Sequence, residues 1–312
     1  MAGSGGGAER RRTTVKRRVW TPQPHGMVLV IVLWIVTLLA VMAGAFAYSM
    51  RVETRLATGA VERAQARALA EAGVAYALAW QRDPESQRNW PANGDWRDWR
   101  FGEHRVRISI EDAAGRISLN NADSRMLQQV LRNLGVAEGD LERLVAAIDD
   151  WRDPDDEPRP QGAESAAYQA AGRVGPKNAP FESVEELQQV LGLDPEIARR
   201  LAAQATVATR ISGINPLLAT VATLQAVTGL NEQALADYSA ARVRTAGEGI
   251  APPLPTVDEQ QSFFSGSQSG SYHITALAET GAGTVAGVEV VATTRNPPPG
   301  QAARTLSWYP AR

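Results

Sequence analysis

A long apolar run dominates the hydrophobic pattern near the start of the chain. From Met27 to Tyr48 nearly every residue is apolar, and no Asp, Glu, Lys or Arg occurs between Arg18 and Arg51. At about 1.5 Å rise per residue, about 20 such residues span the ~30 Å hydrocarbon core of a bilayer. Because a helix satisfies its own backbone hydrogen bonds, the pattern predicts a single transmembrane helix over residues 27–50.

After this run the pattern becomes amphipathic. From Arg51 to Trp80, apolar and Ala residues recur every three or four positions with charged residues between them, which predicts that the helix continues to Trp80. Asp83-Pro84 is expected to end it. Residues 83–100 are polar and Trp-rich, and we predict a loop that packs its aromatic side chains on a sheet. A ligand-binding aromatic cluster is the alternative.

Two groups of strands flank the middle of the chain. His104 to Glu111 alternates apolar and polar residues, which predicts a half-buried strand, with residues 116–119 as its hairpin partner. Three further strands are predicted near the end of the chain, at residues 272–279, 284–294 and 304–309. The expected fold class is α+β, with a long N-terminal helix packed on an antiparallel sheet. Residues 51–119 supply the rest of the helix and the first strands, and residues 251–312 supply the last strands.

Residues 120–250 instead have helical periodicity and predict a large inserted all-α domain. Three segments each contain two apolar helices around a turn, at Gly135, Gly192 and Gly229. Gly suits the left-handed end of a helix. Paired helices of this kind are similar to helix-hairpin-helix modules, so a membrane-anchored DNA-binding or DNA-uptake protein is the alternative function. Residues 112–210 contain 17 acidic and 11 basic residues, however, which opposes phosphate binding.

The segment before the apolar run is basic. Residues 1–26 contain six bases and one acid, and positive flanks stay in the cytoplasm, so the bulk of the chain is predicted to lie across the membrane. A secretory signal peptide that is removed whole is the alternative. The apolar run is longer than a typical signal-peptide core, and Ala43-Gly44-Ala45 is a poor cleavage signal.

The amino-acid composition argues against several other functions. Residues 27–312 carry a net charge of −7, which is a poor match for nucleic acid. The chain has no Cys and three His, so disulfides, thiolate metal sites and multi-His zinc sites have no support. No nucleophile and base stand out together. The protein is therefore predicted not to be an enzyme.

Ionisable side chains are most concentrated in one acidic stretch. Six acids lie between Asp149 and Glu157, and Glu164 follows. Crowded carboxylates repel one another, and Ca²⁺ relieves that repulsion by taking 6–8 oxygen ligands. The alternative is a solvated acidic loop with Arg152 and Arg159 as partial counter-charges.

A basic leader, a Gly and then a retained apolar helix resemble the type IV prepilins. The resemblance implies a pilin-like fold and cleavage by prepilin peptidase between Gly26 and Met27, followed by N-methylation of Met27. Most pilins carry Glu as the fifth mature residue, where this chain has Ile31. An unpaired carboxylate in lipid is costly, so its absence suggests a subunit without a neighbour on that side.

Within that family the sequence resembles the K-type minor pseudopilins of type II secretion. The similar segments are Asp150–Asp155, Gly162–Glu164 and Pro176–Phe181, whereas the Asn-rich segment of the family is represented only by Ile214-Asn215-Pro216. The resemblance implies structural calcium in the helical insert. The implied metal ligands are Asp153, Asp155, Glu164 and, less closely matched, Asp156.

The resemblance also implies a function. Such a subunit is anchored in the cell inner membrane by one helix, with its bulk in the periplasm. It joins I- and J-type minor pseudopilins in a complex at the tip of the periplasmic pseudopilus, above the filament of the major pseudopilin. The role is assembly that supports export of folded proteins across the outer membrane, without nucleic acid.

Overall fold

The computed structural model describes residues 25–245, 252–254 and 258–311, together with Gly3. Most of the predicted leader, and residues 246–251 and 255–257 of the connection before the last strands, lie outside the described residues. The chain divides into two units, residues 1–59 and 60–312, and each is described separately.

The described elements combine helices and strands. The helices are α1 (His25–Trp80), α2 (Pro84–Asn89), α3 (Ser124–Asn133), α4 (Glu138–Arg152), α5 (Ser165–Ala170), α6 (Pro195–Gln204), α7 (Val221–Thr228) and α8 (Glu232–Thr245). The strands are β1 (Asn93–Phe101), β2 (His104–Asp112), β3 (Ile117–Ser118), β4 (Ala205–Thr206), β5 (Ser271–Glu279), β6 (Val285–Thr293) and β7 (Arg304–Pro310). Three 3-10 helices cover Ala113–Gly115, Val184–Gln189 and Asp258–Phe263.

The first unit contains the start of α1. This helix is long and apolar enough to cross a membrane, and no side chain of its apolar stretch is buried by the rest of the protein. The side chains of residues 26–58 are all exposed. The prediction of one continuous helix to Trp80 is confirmed, and its apolar portion suits a membrane anchor.

In the second unit, the end of α1 covers one face of an antiparallel sheet. The sheet order is β1-β2-β5-β6-β7, with Ile110 opposite Ile274 and Ile274 opposite Val290. Alternate residues of these strands point toward α1 and are buried. The helix supplies small residues to this core, which lets the backbone of α1 approach the sheet closely. The predicted α+β class and the predicted strands at 104–111, 272–279, 284–294 and 304–309 are confirmed.

The remaining helices form a second core. Residues 113–270 leave the sheet after β2 and return beside it in β5, because β2 and β5 are direct neighbours. Leu127, Leu141, Ile148 and Leu201 are fully buried within this helical insert. The second predicted helix pair differs from expectation, since its first member is the 3-10 helix Val184–Gln189. This helix begins with a capping box, in which the Glu186 carboxylate accepts from the Glu182 and Ser183 amides just before it.

One buried carboxylate joins the two ends of the insert to the sheet. Asp112, at the end of β2, is 2% exposed. Its Oδ1 accepts from the Ala114 amide at 2.7 Å and from the Ser269 amide at 3.0 Å, and also from the Ser269 hydroxyl. Asn215 reinforces the junction, since its amide donates to the Ala114 carbonyl and its side chain donates to the Ser267 carbonyl.

Two predictions about the strands and loops near the start of the sheet were wrong. Residues 83–100 were predicted to be a loop, but they contain α2 and the edge strand β1. Trp99 of β1 does pack as expected, stacked on Tyr76 of α1 with ring centroids 4.8 Å apart. Residues 116–119 were predicted to form a hairpin with β2. Instead, β3 pairs in parallel with β4, so that Ile117 lies opposite Ala205.

The close approach of α1 to the sheet generates a prediction at Gly73. A Cβ on Gly73 would lie 2.8 Å from Val106 Cγ1 and 3.3 Å from Ala276 Cβ. We expect Gly73→Leu to lower the free energy of unfolding by about 1–3 kcal/mol through overpacking, measured by urea denaturation. Gly139→Leu is the control, because a Cβ there meets nothing within 4 Å. Equal stability of the two variants would contradict this packing.

Candidate metal centre

The acidic stretch divides into two functionally different parts at the end of α4. Asp149 and Asp150 lie in the last turn of this helix and are buried. Asp149 accepts from the Ser124 hydroxyl (2.8 Å) and from Arg152 Nη2 (2.6 Å). Asp150, which is fully buried, accepts from the Ala163 amide and from Arg159 Nη1, each at 2.8 Å. These two carboxylates are already satisfied and serve the fold.

Three other carboxylates converge just beyond the helix. One oxygen each from Asp153, Asp155 and Glu164 lies within 4.8 Å of the other two. Asp153 Oδ1 and both oxygens of Glu164 are buried and have no hydrogen-bond partner among the described residues. Buried polar atoms are normally paired. Their oxygens therefore form a set that fits a hard divalent cation such as Ca²⁺.

Asp156 is the predicted ligand that the structure does not bring into this group. Its Oδ1 accepts from the Ser165 amide at 3.1 Å. Hydrogen bonds from Ser165 hold the pKa of the Asp156 carboxyl below its usual range. This side chain is engaged at the N-terminus of α5, beside the converging oxygens.

Sequence reasoning missed one oxygen at this site. The Oδ1 of Asn178 is also buried without a hydrogen-bond partner in the described part of the chain. The Asn178 side chain lies close enough to interact with the carboxyl of Asp156. The segment Pro176–Phe181 was noted in the sequence, but nothing in its pattern distinguished an amide oxygen as a ligand. Asn178 adopts a φ of 50°, a left-handed conformation that Asn tolerates better than most residues.

An aromatic cluster and a glycine hold the loop behind these oxygens. Trp151 packs against Tyr168 and Phe181, with ring centroids 6.1 Å apart in both pairs. Gly162 lies so close to Asp150 that a Cβ would be 2.0 Å from Asp150 Oδ2. The Gly is therefore required for the loop to fold back and place Glu164 opposite Asp153.

The negative charge of this loop is only partly neutralised by Arg159. Arg159 contacts Asp150 and the second oxygen of Asp153. Burial, followed by the neighbouring Asp150, Asp156 and Asp153, raises the pKa of Glu164 to about 7. Repulsion of this kind is what a bound cation would relieve.

The helix-pair turns were predicted to need Gly, and their backbone angles agree. Gly135, Gly192 and Gly229 have φ values of 96°, 81° and 70°. Gly229 caps α7, and its amide donates to the Gln225 carbonyl. The predicted processing position lies at the start of α1, where the Met27 side chain is 69% exposed.

A solved structure and a family model both match this chain. A chain in the crystal structure of the GspK-GspI-GspJ complex from the enterotoxigenic Escherichia coli type 2 secretion system shares the fold. The TM-score is 0.54 at 15% sequence identity, over 84% of this chain and 99% of that chain. Residues 108–210 match the family model for the first domain of protein K of the type II secretion system.

Two curated relatives carry the same name. Type II secretion system protein K of Klebsiella pneumoniae is 30% identical over 202 residues, which are 57% of this chain and 60% of that protein. The protein K of Pectobacterium carotovorum subsp. carotovorum is 33% identical over 79 residues, which are 25% of this chain and 24% of the relative. The matches thus span less than two thirds of each relative's length.

The structure defines an α+β protein with a long apolar N-terminal helix and a helical insert in its sheet, a fold shared with the chain of the GspK-GspI-GspJ complex. The predicted resemblance to the K-type family is confirmed, because residues 108–210 are similar to the first domain of type II secretion system protein K.

The raised pKa of Glu164 generates a pH prediction. An acid whose pKa is higher in the folded state than its ordinary value of 4.5 favours folding while protonated, and this contribution disappears as pH rises from about 4.5 to about 7. With divalent ions chelated, Glu164→Gln should therefore lose less unfolding free energy than the parent protein between pH 5 and pH 8, by about 2–3 kcal/mol.

Urea denaturation at the two pH values measures this difference. Glu157→Gln is the control, because Glu157 lies in the same loop but outside the converging group. A parent-like pH dependence in Glu164→Gln would count against the crowded, buried carboxylate.

Proposed function

We propose that this chain is a minor pseudopilin of type II secretion, which assembles at the tip of the periplasmic pseudopilus and supports export of folded proteins. The observation that carries the proposal is the position of the family domain. Residues 108–210 begin inside β2 of the sheet and continue through the acidic loop of the helical insert. The proposed role is assembly and not catalysis.

The membrane anchor determines how the subunit enters a filament. Prepilin peptidase cuts between Gly26 and Met27, and Met27 is then methylated. The anchor stays in the inner membrane with the leader side cytoplasmic and residues 51–312 periplasmic. The basic leader and the uncharged run of α1 support this orientation.

The partners are the I- and J-type minor pseudopilins and, below them, the filament of the major pseudopilin. The solved relative comes from a GspK-GspI-GspJ complex, which supports a tip complex of this composition. With Ile31 where most pilins carry Glu, this subunit caps the filament, and its insert blocks the addition of another subunit.

Calcium is the proposed structural ion. Asp153, Asp155 and Glu164 would hold it, with Asp156 and the Asn178 oxygen beside them. The buried oxygens without hydrogen-bond partners support this choice. When bound, the ion supplies positive charge that joins the loop after α4 to the start of α5.

Processing of the leader is directly testable. We expect Gly26→Val to leave an uncut precursor in cells that contain prepilin peptidase, because the bond after this Gly is the proposed cleavage site. An immunoblot with a C-terminal tag measures the size, and mass spectrometry identifies the N-terminus. Gly44→Val, within the same helix, is the control and should be processed. Normal cleavage of Gly26→Val would contradict the prepilin assignment.

Calcium binding is tested by thermal unfolding. A ligand at about a hundred times its Kd stabilises the folded state by about 2.7 kcal/mol, so the parent protein should melt at a higher temperature in calcium than in chelator. The double variant Asp153→Ala, Asp155→Ala should lose this difference, whereas Glu157→Ala from the same loop should keep it. Equal melting of the parent protein in calcium and in chelator would remove the metal from the proposal.

A further inference from the structure

The last strand of the sheet has an edge that no other described strand covers. β7 stands at one end of the sheet and pairs only with β6 within the described part of the chain. The amide of Ala311, just after β7, donates to the Gly287 carbonyl of β6 at 3.0 Å. In an antiparallel ladder, alternate residues point their backbone groups toward the partner strand. Tyr309 therefore faces β6, and the backbone N–H and C=O of Trp308 face away from it.

The middle of this edge carries little protection against pairing. Natural edge strands use charges, Pro or bulges to discourage a second strand. β7 has Arg304 at one end, Pro310 at the other and an irregular pairing with β6 between Val291 and Ala292, whereas residues 305–309 carry no charge. The side chains of Leu306, Trp308 and Tyr309 are 44%, 39% and 51% exposed. An uncharged, aromatic edge of this kind is suited to accept another strand.

A cleft runs beside the same strand. It has a volume of about 540 Å³ and lies between the sheet and the residues around β4. Leu306, Ser307 and Tyr309 line it from β7. On the insert side its lining includes the small residues Ala202, Ala203 and Ala205 of α6 and β4.

The charge of the cleft is negative. Glu182, Glu185 and Glu289 line it. The lining arginine, Arg116, is paired with Glu111 at 2.5 Å, and Glu182 is paired with Lys177 at 3.6 Å. No ion pair engages Glu185 or Glu289 among the described residues, and both side chains are exposed. Glu289 lies directly opposite Tyr309 across the β6–β7 ladder. A segment placed along β7 would thus meet carboxylates on its cleft side.

We propose that the free edge of β7 is a docking site for an extended segment of another protein, which adds a sixth strand to the sheet and places Lys or Arg side chains in the acidic cleft. The outward backbone N–H and C=O of Trp308 favour an extended strand as the partner, because an added strand supplies main-chain hydrogen bonds to these groups. Strand geometry puts every second side chain on the cleft side. The segment therefore alternates basic residues with apolar ones, the latter beside Trp308. The docking site is independent of the role in secretion.

The test uses the full chain in a non-ionic detergent and a fluorescein-labelled peptide of alternating Lys and Val, about eight residues long. Fluorescence anisotropy should show saturable binding. A Glu-Val peptide of the same length should bind at least about tenfold more weakly, because its charge matches that of the cleft. The same loss is expected for the Lys-Val peptide with Glu185→Lys, Glu289→Lys.

Backbone pairing is tested by a matched pair of substitutions. Trp308→Pro removes the outward amide and should weaken binding by about tenfold or more, since Pro is tolerated on an edge but cannot donate. Trp308→Val loses the same aromatic ring, keeps the amide and should bind within about threefold of the parent. Urea denaturation verifies that both variants remain folded.

A change in the peptide avoids any effect on the fold of the protein. N-methylation of the Val residues removes main-chain donors from the Lys-Val peptide and should abolish its binding. Equal binding of the methylated peptide, equal binding of the Glu-Val peptide, or no saturable binding of the Lys-Val peptide would each overturn the proposal.

Discussion

The carboxylate of Asp112 is the constraint on which the arrangement of this protein depends. It lies where β2 ends and accepts hydrogen bonds from both the outgoing and the returning chain. The insert and the sheet have separate hydrophobic cores. Without a rigid junction, two such cores joined by two connections would move relative to each other. A buried carboxylate whose Oδ1 accepts three hydrogen bonds fixes the crossing point, because leaving its partners unpaired in the interior would be costly.

This junction allows each core to follow its own packing rules. The sheet core depends on close approach, which is why α1 presents small residues such as Ala70 and Gly73 to the strands. The insert core depends instead on large aliphatic side chains around α3 and α4, with Trp151 at its edge. The acidic loop begins where that edge reaches solvent. The packed core of the insert supports the acidic loop from behind, and the carboxylates of the loop face one another.

The elements that could be predicted from the sequence are those that bury one face. The long helix and the strands β2, β5 and β6 alternate or repeat strongly because one face of each is buried. β1 escaped detection because its side chains are mostly exposed on both faces, so its Trp and Arg residues show no apolar alternation. β3 and β4 are two residues each, and their paired residues, such as Ile117 and Ala205, are 88 positions apart in the sequence, which no local pattern reports. The buried Oδ1 of Asn178 near Asp156 results from the folded chain, and sequence spacing does not reveal it.

The acidic loop illustrates why residue type alone did not separate the converging carboxylates from those that serve the fold. Asp149, Asp150, Asp153 and Asp155 are chemically the same, and clustering made all of them candidates for an ion. What distinguishes them is the end of α4. Helical geometry turns Asp149 and Asp150 into the protein, where a hydroxyl, an amide and two arginines donate to them. Three residues after Asp150 the backbone becomes extended at Asp153, so the next carboxylates leave the helix face and meet Glu164 instead. The position at which a helix stops therefore decides which acids remain available to a cation.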